Sequence, residues 1–459
     1  MAKTVFRKWE ADQAELFPPS VRELVPADHL VHFVRKLVVE DLDLGVVYAR
    51  YVESKGQPPY DPRLMTALLL YACCRGIVSS RKIETACEER LDFRALVGSE
   101  SPDHDTICQF RQDHREALAG LFVQVLALCR DAGMAKLGHV SLDGTKIQAN
   151  ASKHAAMSHA RMKKAEPELE AKVKRWMDGA AAADAAEDAE HGKDRRGDEM
   201  PAHVKEAARK LAKVRAAQAR LEREAKERAE RVAAERAAKR KETGRRPGGP
   251  EPQALAGIPE DEAQSNFTDP ESRIMKTKDG FQQAYNAQAA VDAEDQVIVA
   301  ADVTAQQNDA AQLAPMLDQI EANTGEKPAQ VSIDAGYCSE ENIATIEEKK
   351  IDGYVATGRQ KHGTPSATGG EGKRAGPRTT AMREKLRAGG WESPYRLRKQ
   401  TVEPVFGQIK EARGFRRFLH RGLAKVRAEW RFVCAAHNVL KLAARKAAAR
   451  AAAAQTAPA

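Results

Sequence analysis

The segment Gly138-His-Val-Ser-Leu-Asp143-Gly-Thr contains a short β-type run that ends in a carboxylate followed by glycine. The same order recurs in Gln330-Val-Ser-Ile-Asp334-Ala-Gly, where an apolar run again precedes an aspartate. A strand that ends in this way places a carboxylate at the open end of a sheet, with room for a metal ion and a phosphate. The two runs therefore predict a sheet with two acidic residues at one edge.

Neither aspartate is diagnostic by itself, because an aspartate that caps a turn is equally compatible with Leu-Asp143-Gly-Thr. Aspartyl phosphohydrolases have a similar loop, but their nucleophilic aspartate would fall at the place of Ser141. That mechanism lacks its reactive group here. Two such carboxylates in one sheet are a stronger signal, because a charge that follows a buried strand needs a partner such as a divalent cation.

A third acidic residue lies in the basic segment Arg398-Lys-Gln-Thr-Val-Glu403-Pro-Val-Phe-Gly-Gln-Ile-Lys410. Val402, Phe406 and Ile409 form the apolar stripe of a predicted helix, and Lys410 follows Glu403 by two turns on the same face. Pro404 is expected to start or kink this helix. An exposed pair of Glu403 and Lys410 on a solvated surface is the simpler alternative.

Charge is distributed unevenly along the 459 residues, a length that allows two or three domains. The chain has 74 Lys and Arg against 66 Asp and Glu, a net charge of +8. Residues 379–459 contain 18 Lys and Arg but five Glu and no Asp, so this end alone carries +13. The basic C-terminal end predicts a polyanionic partner such as nucleic acid.

Cysteine usage and hydropathy predict a cytoplasmic protein. The seven cysteines are Cys73, Cys74, Cys87, Cys108, Cys129, Cys338 and Cys434, without a CxxC pair. An odd number, mostly in apolar helical runs, indicates reduced, buried thiols and excludes a disulfide framework. Residues Met1–Glu10 lack the apolar core of a signal peptide, and the longest apolar stretch, around Leu64–Cys74, is too short to span a membrane.

Residues 1–135 are predicted to form a helical DNA-binding domain, with helices that begin near Pro62, Ser79 or Ser80, Asp103 and Leu118. Basic residues expected on its surface are Arg75, Arg81, Lys82, Arg111 and Arg115. Short helices with tight turns are compatible with a helix-turn-helix DNA reader. An ordinary helical bundle whose charges face water fits equally well.

Residues 155–265 are predicted to be a charged helical insert and linker, rich in Ala, Glu, Lys and Arg. Its nearly heptad stripe is formed by Leu211, Val214, Leu221, Ala225 and Val232. Gly192–Gly197 is the predicted bend of a hairpin, and Arg245–Pro252 the linker that follows. A solvated hairpin or imperfect coiled coil is favoured over a dimerisation element.

The remaining segments predict a mixed α/β sheet with flanking helices, formed by residues 136–154 and 266–442 around the insert. Predicted strands are Gln283–Val291, Gln296–Val303, Gln330–Asp334 and Gly353–Ala356, the first two joined as a hairpin. Predicted helices are Asp309–Asn323, Glu340–Lys349, Val402–Ala412 and Leu423–Ala449. Thr364–Arg378 is predicted to be a flexible loop, and residues 443–459 a flexible tail.

Taken together, the three acidic blocks resemble the DDE-type transposases of bacterial insertion sequences. Asp143, Asp334 and Glu403 match the catalytic triad of that family, and the block with Tyr395, Arg398 or Lys399, Glu403 and Lys410 resembles its Tyr-Arg-Glu-Lys signature. Further similar blocks are Asn266–Lys276, Tyr285–Gln288 and Trp430 with Ala436–Asn438. The similarity covers nearly all of the chain except the insert and the tail. Between the first two acidic residues lie 190 residues, and between the last two 68.

The resemblance implies an RNase H-like catalytic domain in which the three carboxylates hold two Mg²⁺ or Mn²⁺ ions. It implies that Tyr395, Arg398, Lys399 and Lys410 bind DNA. The expected function is cleavage and joining of DNA strands at terminal inverted repeats and target DNA, by a homo-oligomer at the bacterial nucleoid, with no membrane involved. Alternatives are a catalytically silent DNA-binding regulator of transposition and an RNase H-like nuclease without joining activity.

Overall fold

The structure is a computed structural model that describes residues 20–51, 58–191, 202–244, 257–358, 368 and 376–456. Four predicted features lie wholly or largely outside the described residues: the N-terminal segment 1–10, the bend 192–197, the linker 245–252 and the loop 364–378. The described parts confirm the predicted mixed α/β class with a helical N-terminal region. No helix among them is both long and apolar enough to cross a membrane.

The N-terminal region consists of short helices around a common apolar core. These are α1 (Leu30–Lys36), α2 (Gly45–Tyr48), α3 (Pro62–Cys74), α4 (Ser80–Glu89), α5 (Leu91–Val97), α6 (His104–Asp113) and α7 (Arg115–Asp131). A π-helical turn, Leu37–Asp41, extends α1. The Asp61 and Asp103 side chains accept hydrogen bonds from the first turns of α3 and α6, which fixes where these helices begin.

Two of the five basic residues predicted at the surface of this region are not fully exposed. Arg75, Arg81 and Lys82 are exposed, but Arg111 and Arg115 line an apolar cavity beside Phe415 and Glu429 of the C-terminal half. The prediction was wrong for Arg111 and Arg115 because it could not include the tertiary contact. They lie at the junction between the helical region and the remainder of the molecule.

Six strands form one mixed sheet, and two more form a separate ribbon. The strands are β1 (His139–Gln148), β2 (Ala156–Ser158), β3 (Gln264–Asn266), β4 (Arg273–Thr277), β5 (Gly280–Asp292), β6 (Ile298–Thr304), β7 (Gln330–Ile333) and β8 (Asp352–Val355). In the sheet the order is β4-β5-β1-β7-β8, with β6 also paired to β5. β5 is antiparallel to β1, β4 and β6, whereas β1, β7 and β8 are parallel. The predicted hairpin is the β5–β6 pair.

The insert leaves the sheet through the β2–β3 ribbon and forms a helical hairpin. Its helices are α8 (His159–His191) and α9 (Ala202–Thr243). Met162 of α8 packs with Val214 and Leu221 of α9 in an apolar cluster apart from the main core. Arg215 of α9 also contacts Glu166 of α8 at 2.8 Å. Four residues of the predicted apolar stripe of α9, Leu211, Val214, Leu221 and Ala225, are therefore buried within one chain, and Val232 is half-buried.

The remaining helices cover the sheet. They are α10 (Leu313–Thr324), α11 (Glu340–Glu348), α12 (Pro377–Gly389), α13 (Leu397–Gly407) and α14 (Leu423–Thr456). Single 3₁₀ turns precede several of them, at Ala310–Gln312, Ala335–Tyr337, Gly390–Glu392 and Pro394–Arg396. Residues 443–456, expected to be a flexible tail, continue α14, in keeping with the high helix propensity of Ala, Lys and Arg.

Helix α14 connects the N-terminal helices to the sheet. It packs on α3, α7 and β6. Its Asn438 amide accepts a hydrogen bond from Ile298 N at 2.9 Å and donates one to Ile298 O at 2.8 Å. The neighbouring His437 bonds to the carbonyl of Gln296. These contacts fix the start of β6 to the helix.

Pro404 does not start α13, which begins seven residues earlier at Leu397. Proline removes the hydrogen bond to the carbonyl four residues before it, which is Gln400 O. The side chain of Gln296, in the β5–β6 turn, donates to that carbonyl at 2.9 Å. A π-helical turn, Gln408–Ala412, then follows α13 directly. The helix is thus continuous through the proline because a neighbouring side chain replaces the missing donor.

Glu429 of α14 lies at the junction between the two halves, where it lines the same cavity as Arg111. Its carboxylate accepts backbone hydrogen bonds from Leu419 at 2.9 Å and His420 at 3.1 Å. Burial raises the pKa of Glu429 to about 7, although these N–H groups and the nearby Arg111 act in the opposite direction. The carboxyl group therefore binds a proton more tightly in the folded protein than in the unfolded chain.

We expect Glu429 to make the folded protein less stable as pH rises from about 4.5 to 7. In this window the folded state holds a proton that the unfolded state releases, so the free energy of unfolding decreases with a slope of at most ~1.4 kcal/mol per pH unit. Glu429→Gln removes this contribution. Urea denaturation of the wild type and the variant at pH 5 and pH 7 measures this contribution. If the stability of both proteins changes equally with pH, Glu429 does not have the raised pKa.

Candidate active site

The parallel pairing of β1 with β7 brings Asp143 and Asp334 together. The last pair in the register is Leu142 with Ile333, so the two aspartates are the next residue on each strand. The prediction that Asp143 ends its strand was wrong, because β1 continues to Gln148 in its antiparallel pairing with β5. The neighbouring strand β7, in contrast, ends at Ile333, opposite Leu142. Asp143 therefore lies within a strand, but at the open edge left by β7.

Helix α13 brings Glu403 and Arg398 over this edge. The Arg398 guanidinium donates from Nη2 to Asp143 Oδ2 at 2.6 Å and from Nη1 to Glu403 Oε1 at 3.2 Å. Its Nη2 atom also lies 3.9 Å from Asp334 Oδ2. The buried residues Val402, Val405 and Phe406 hold α13 on the sheet. One cationic side chain thus contacts all three sequence-predicted carboxylates.

The three carboxylates differ in exposure. The side chain of Asp143 is 14% exposed, that of Asp334 35% and that of Glu403 50%, while Arg398 is 10% exposed. Burial raises the pKa of Asp143 to about 7, against the opposing effect of Arg398, and the neighbouring Asp334 and Asp309 raise it further. Asp143 is therefore the least exposed of the three carboxylates and the one most in need of a cation.

The residues expected to bind DNA have different settings. Tyr395 is buried in the 3₁₀ turn before α13, and burial raises its pKa. Lys399 is exposed. Lys410 is half-buried and donates to Thr145 Oγ1 at 3.0 Å and to the carbonyl of Lys146 at 3.2 Å. Lys410 thus attaches the π-helical turn to β1 just beyond Asp143.

Asp309, which no sequence motif singled out, also belongs to this neighbourhood. It precedes α10, and its Oδ1 atom accepts hydrogen bonds from Asn286 at 2.5 Å and Gln288 at 2.8 Å. Lys146 lies 3.7 Å from the same oxygen. Asn286 and Gln288 fall in the Tyr285–Gln288 block that resembled the family. That resemblance was the available sequence signal for this part of the site. Nothing in the sequence linked Asp309 to that block.

Other residues of the family-like blocks have structural partners. Tyr285 donates to Asp269 Oδ1 at 2.8 Å, and this carboxylate also accepts from Gly422 N. Asn266 Oδ1 accepts from Thr268 N at 2.8 Å. Trp430 donates to Gln288 O at 2.9 Å. These contacts hold the segments around the sheet edge in place.

The donor set at the edge has the chemistry that a divalent cation requires. Carboxylate oxygens are the ligands of Mg²⁺ and Mn²⁺. Within the described ranges, no three His, Cys, Asp or Glu side chains are arranged closely enough to hold a metal ion as they stand. The Arg398 guanidinium lies between the carboxylates instead. The donor set therefore fits a divalent cation in its chemistry, and in the structure the Arg398 guanidinium supplies the positive charge at that position.

Two family models match the chain. Residues 19–113 match the transposase domain (DUF772), and residues 256–439 match the transposase DDE domain. Asp334 and Glu403 lie within the second match, whereas Asp143 lies between the two. No curated protein and no solved structure matches the chain.

An acidic edge on a mixed sheet, with transposase domains on both sides of the insert, defines the molecule as a transposase. The chain belongs to the DDE transposases of the insertion-sequence type. Membership of this family implies a metal-dependent DNA-cleaving enzyme.

Replacing Arg398 by methionine should destabilise the fold at pH 8 by about 3 kcal/mol, because it leaves the buried Asp143 without its counter-charge. The loss should shrink at pH 6, since Asp143 is mostly neutral below its pKa of about 7. Chemical denaturation at the two pH values measures both effects.

Arg396→Met is the matched control for this experiment. Arg396 is exposed, and its guanidinium lies 4.7 Å from the ring centre of Trp391. Its replacement should cost less than about 1 kcal/mol. Equal losses in the two variants at pH 8 would mean that Arg398 does not neutralise a buried charge.

Proposed function

We propose that the chain is an insertion-sequence transposase that binds the terminal inverted repeats of its element and cuts and joins DNA strands at the Asp143, Asp334 and Glu403 site. The observation that supports this most is the contact of all three carboxylates with the Arg398 guanidinium. Carboxylates that are separated by 190 and 68 intervening residues converge on one cation. The order and directions of the sheet strands support the RNase H-like fold that the family resemblance implies.

The three carboxylates would hold two Mg²⁺ or Mn²⁺ ions. Bound there, the ions lower the charge barrier to attack on a phosphodiester and stabilise the leaving oxygen. In the first step water attacks the phosphorus, the bond to the 3′ oxygen breaks, and that oxygen leaves with a proton. In the second step the freed 3′-hydroxyl attacks a target phosphodiester, whose 3′ oxygen leaves in turn. Neither step needs a covalent bond to the protein.

Cationic residues next to the carboxylates would bind the DNA backbone. Lys399 is exposed one position after Arg398, and Lys410 lies on the turn that follows α13. Once the carboxylates hold metal, the Arg398 guanidinium is free to bind a phosphate. Tyr395 is buried in the 3₁₀ turn that precedes Arg398. We propose that the enzyme acts as a homo-oligomer on DNA at the bacterial nucleoid.

The proposed site is tested by strand cleavage of DNA that carries the terminal repeats of the element, with Mg²⁺. We expect Asp143→Asn, Asp334→Asn and Glu403→Gln each to abolish both cleavage and joining, because each removes an anionic metal ligand while preserving side-chain size. The assay measures nicked and joined products separately on denaturing gels. Asp318→Asn is the control that should retain activity, because Asp318 is an exposed residue of α10 whose ion-pair partner, Lys349, lies just after α11.

The same assay separates the alternatives. Wild-type protein that binds the repeats but never cuts them is a DNA-binding regulator. Cleavage without joined products, under conditions where the 3′-hydroxyl and target are both present, indicates a nuclease. Normal activity of the three carboxylate variants shows that the site is wrongly assigned.

Lys399→Gln should weaken binding to all DNA sequences and reduce the slope of log K against log salt by about 0.9, the effect of one lost phosphate contact. Lys350→Gln is the control, because Lys350 is exposed at the other end of the parallel strands, just before β8. Fluorescence anisotropy over a series of salt concentrations measures both slopes. An unchanged slope for Lys399→Gln excludes its contact with phosphate.

A further inference from the structure

Asp309 is held firmly by one of its two carboxylate oxygens. Its Oδ1 atom accepts hydrogen bonds from the side-chain amides of Asn286 and Gln288, both fully buried on β5. Lys146 approaches the same oxygen at 3.7 Å and also donates to Gln307 O at 2.9 Å. The orientation of the carboxylate is therefore fixed by three groups on one side.

The second oxygen of Asp309 faces the space beside Asp334. A Cβ atom placed on Gly336 would lie 3.3 Å from Asp309 Oδ2 and 3.0 Å from Asp334 Oδ1. Both carboxylates thus border the small volume that glycine leaves open at this position. Asp309 Oδ2 has no hydrogen-bond donor among the residues in the described ranges.

An unpartnered amide oxygen lies next to Asp309 on its other side. A Cβ atom on Gly144 would lie 2.6 Å from Asp309 Oδ1 and 2.8 Å from Asn286 Oδ1. Asn286 is fully buried, and in the described part of the chain its Oδ1 atom accepts no hydrogen bond. A buried acceptor without a donor is costly, so this oxygen adds to the negative potential around Asp309 that the protein groups leave unbalanced.

Lys146 alone does not balance the charge of this cluster. Three anionic groups, Asp143, Asp334 and Asp309, surround it, and Arg398 lies on the α13 side of the site. Lys146 approaches Oδ1 of Asp309 at 3.7 Å. The free oxygen Oδ2 remains directed at the Asp334 side, where an oxygen-seeking divalent cation would find a further ligand.

We propose that Asp309 is a fourth carboxylate of the catalytic centre and that its Oδ2 atom binds the divalent cation held by Asp334. This inference rests on the metal-dependent function proposed above. Asn286 and Gln288 orient this carboxylate, and Gly144 and Gly336 leave the space that it needs. The catalytic centre then draws on four segments of the chain: β1, the β6–α10 connection, the residue after β7, and α13.

Asp309→Asn is the sharpest test, because asparagine can keep an oxygen that accepts from Asn286 and Gln288 while replacing the free oxygen with an NH₂ group. Mn²⁺ is titrated into the full chain without DNA, and free Mn²⁺ is counted by electron paramagnetic resonance. We expect the affinity to fall about 10- to 100-fold. Asp318→Asn should bind Mn²⁺ like the wild type. Thermal denaturation without metal checks that each variant is folded.

The outcomes separate this inference from the proposed function. If Asp334→Asn loses Mn²⁺ binding and Asp309→Asn keeps it, Asp309 is not a ligand and the proposed function stands. If Asp143→Asn, Asp334→Asn and Glu403→Gln all bind like the wild type, the metal site itself is wrong.

The double variant Asp309→Asn/Lys146→Gln tests the remaining role, in which Asp309 only neutralises Lys146. Removing Lys146 would then restore both the thermal stability and the Mn²⁺ affinity that Asp309→Asn loses, and this would overturn the inference. Mn²⁺ affinity that stays low in the double variant supports a ligand role for Asp309.

Discussion

The unequal pairing of β1 with its two neighbours determines where the site lies. On one side β5 pairs along the whole strand, and on the other β7 ends at Ile333. Asp143 can therefore be held rigidly within a strand and still face an open edge beside Asp334. If a carboxylate ended its own strand, only the residues before it would be held by hydrogen bonds to a neighbouring strand, and the residues after it would not. The continuous strand supplies rigidity, and the short neighbour supplies access.

Electrostatics couple this edge to α13. A largely buried Asp143 is costly to ionise without a cation, and Arg398 meets that need from the helix that also carries Glu403. Under the proposed function, a metal ion would compete with Arg398 for the same oxygens, so metal binding and the position of Arg398 would be linked. Arg398 and the exposed Lys399 are adjacent, so two consecutive cationic residues lie in the first turn of α13.

Local patterns in the sequence predicted five of the six strands described in the main sheet and several of the helices, because strand periodicity and helix caps act over a few residues. They also indicated Asp143, Asp334 and Glu403 as the residues of the proposed site. Three features were out of reach for a common reason. Arg398 among the carboxylates, Gln296 at the carbonyl freed by Pro404, and Asp309 beside Gly336 are all contacts between segments distant in sequence. Arg111 illustrates the same limit. Its charge predicts a position at the surface, but it lines a cavity with Phe415 and Glu429 of the C-terminal half.

The β2–β3 ribbon has a consequence for how such chains can vary. The ribbon brings the two ends of the α8–α9 hairpin together, because Ala156 of β2 pairs with Asn266 of β3. Because the cost of closing a loop rises slowly with its length, the hairpin can gain or lose turns without disturbing the register of β1. The interval between the first two aspartates is thus free to drift in evolution, while the strand pairing is not. Relatives of this chain are better recognised by which strands pair than by how many residues separate their acidic residues.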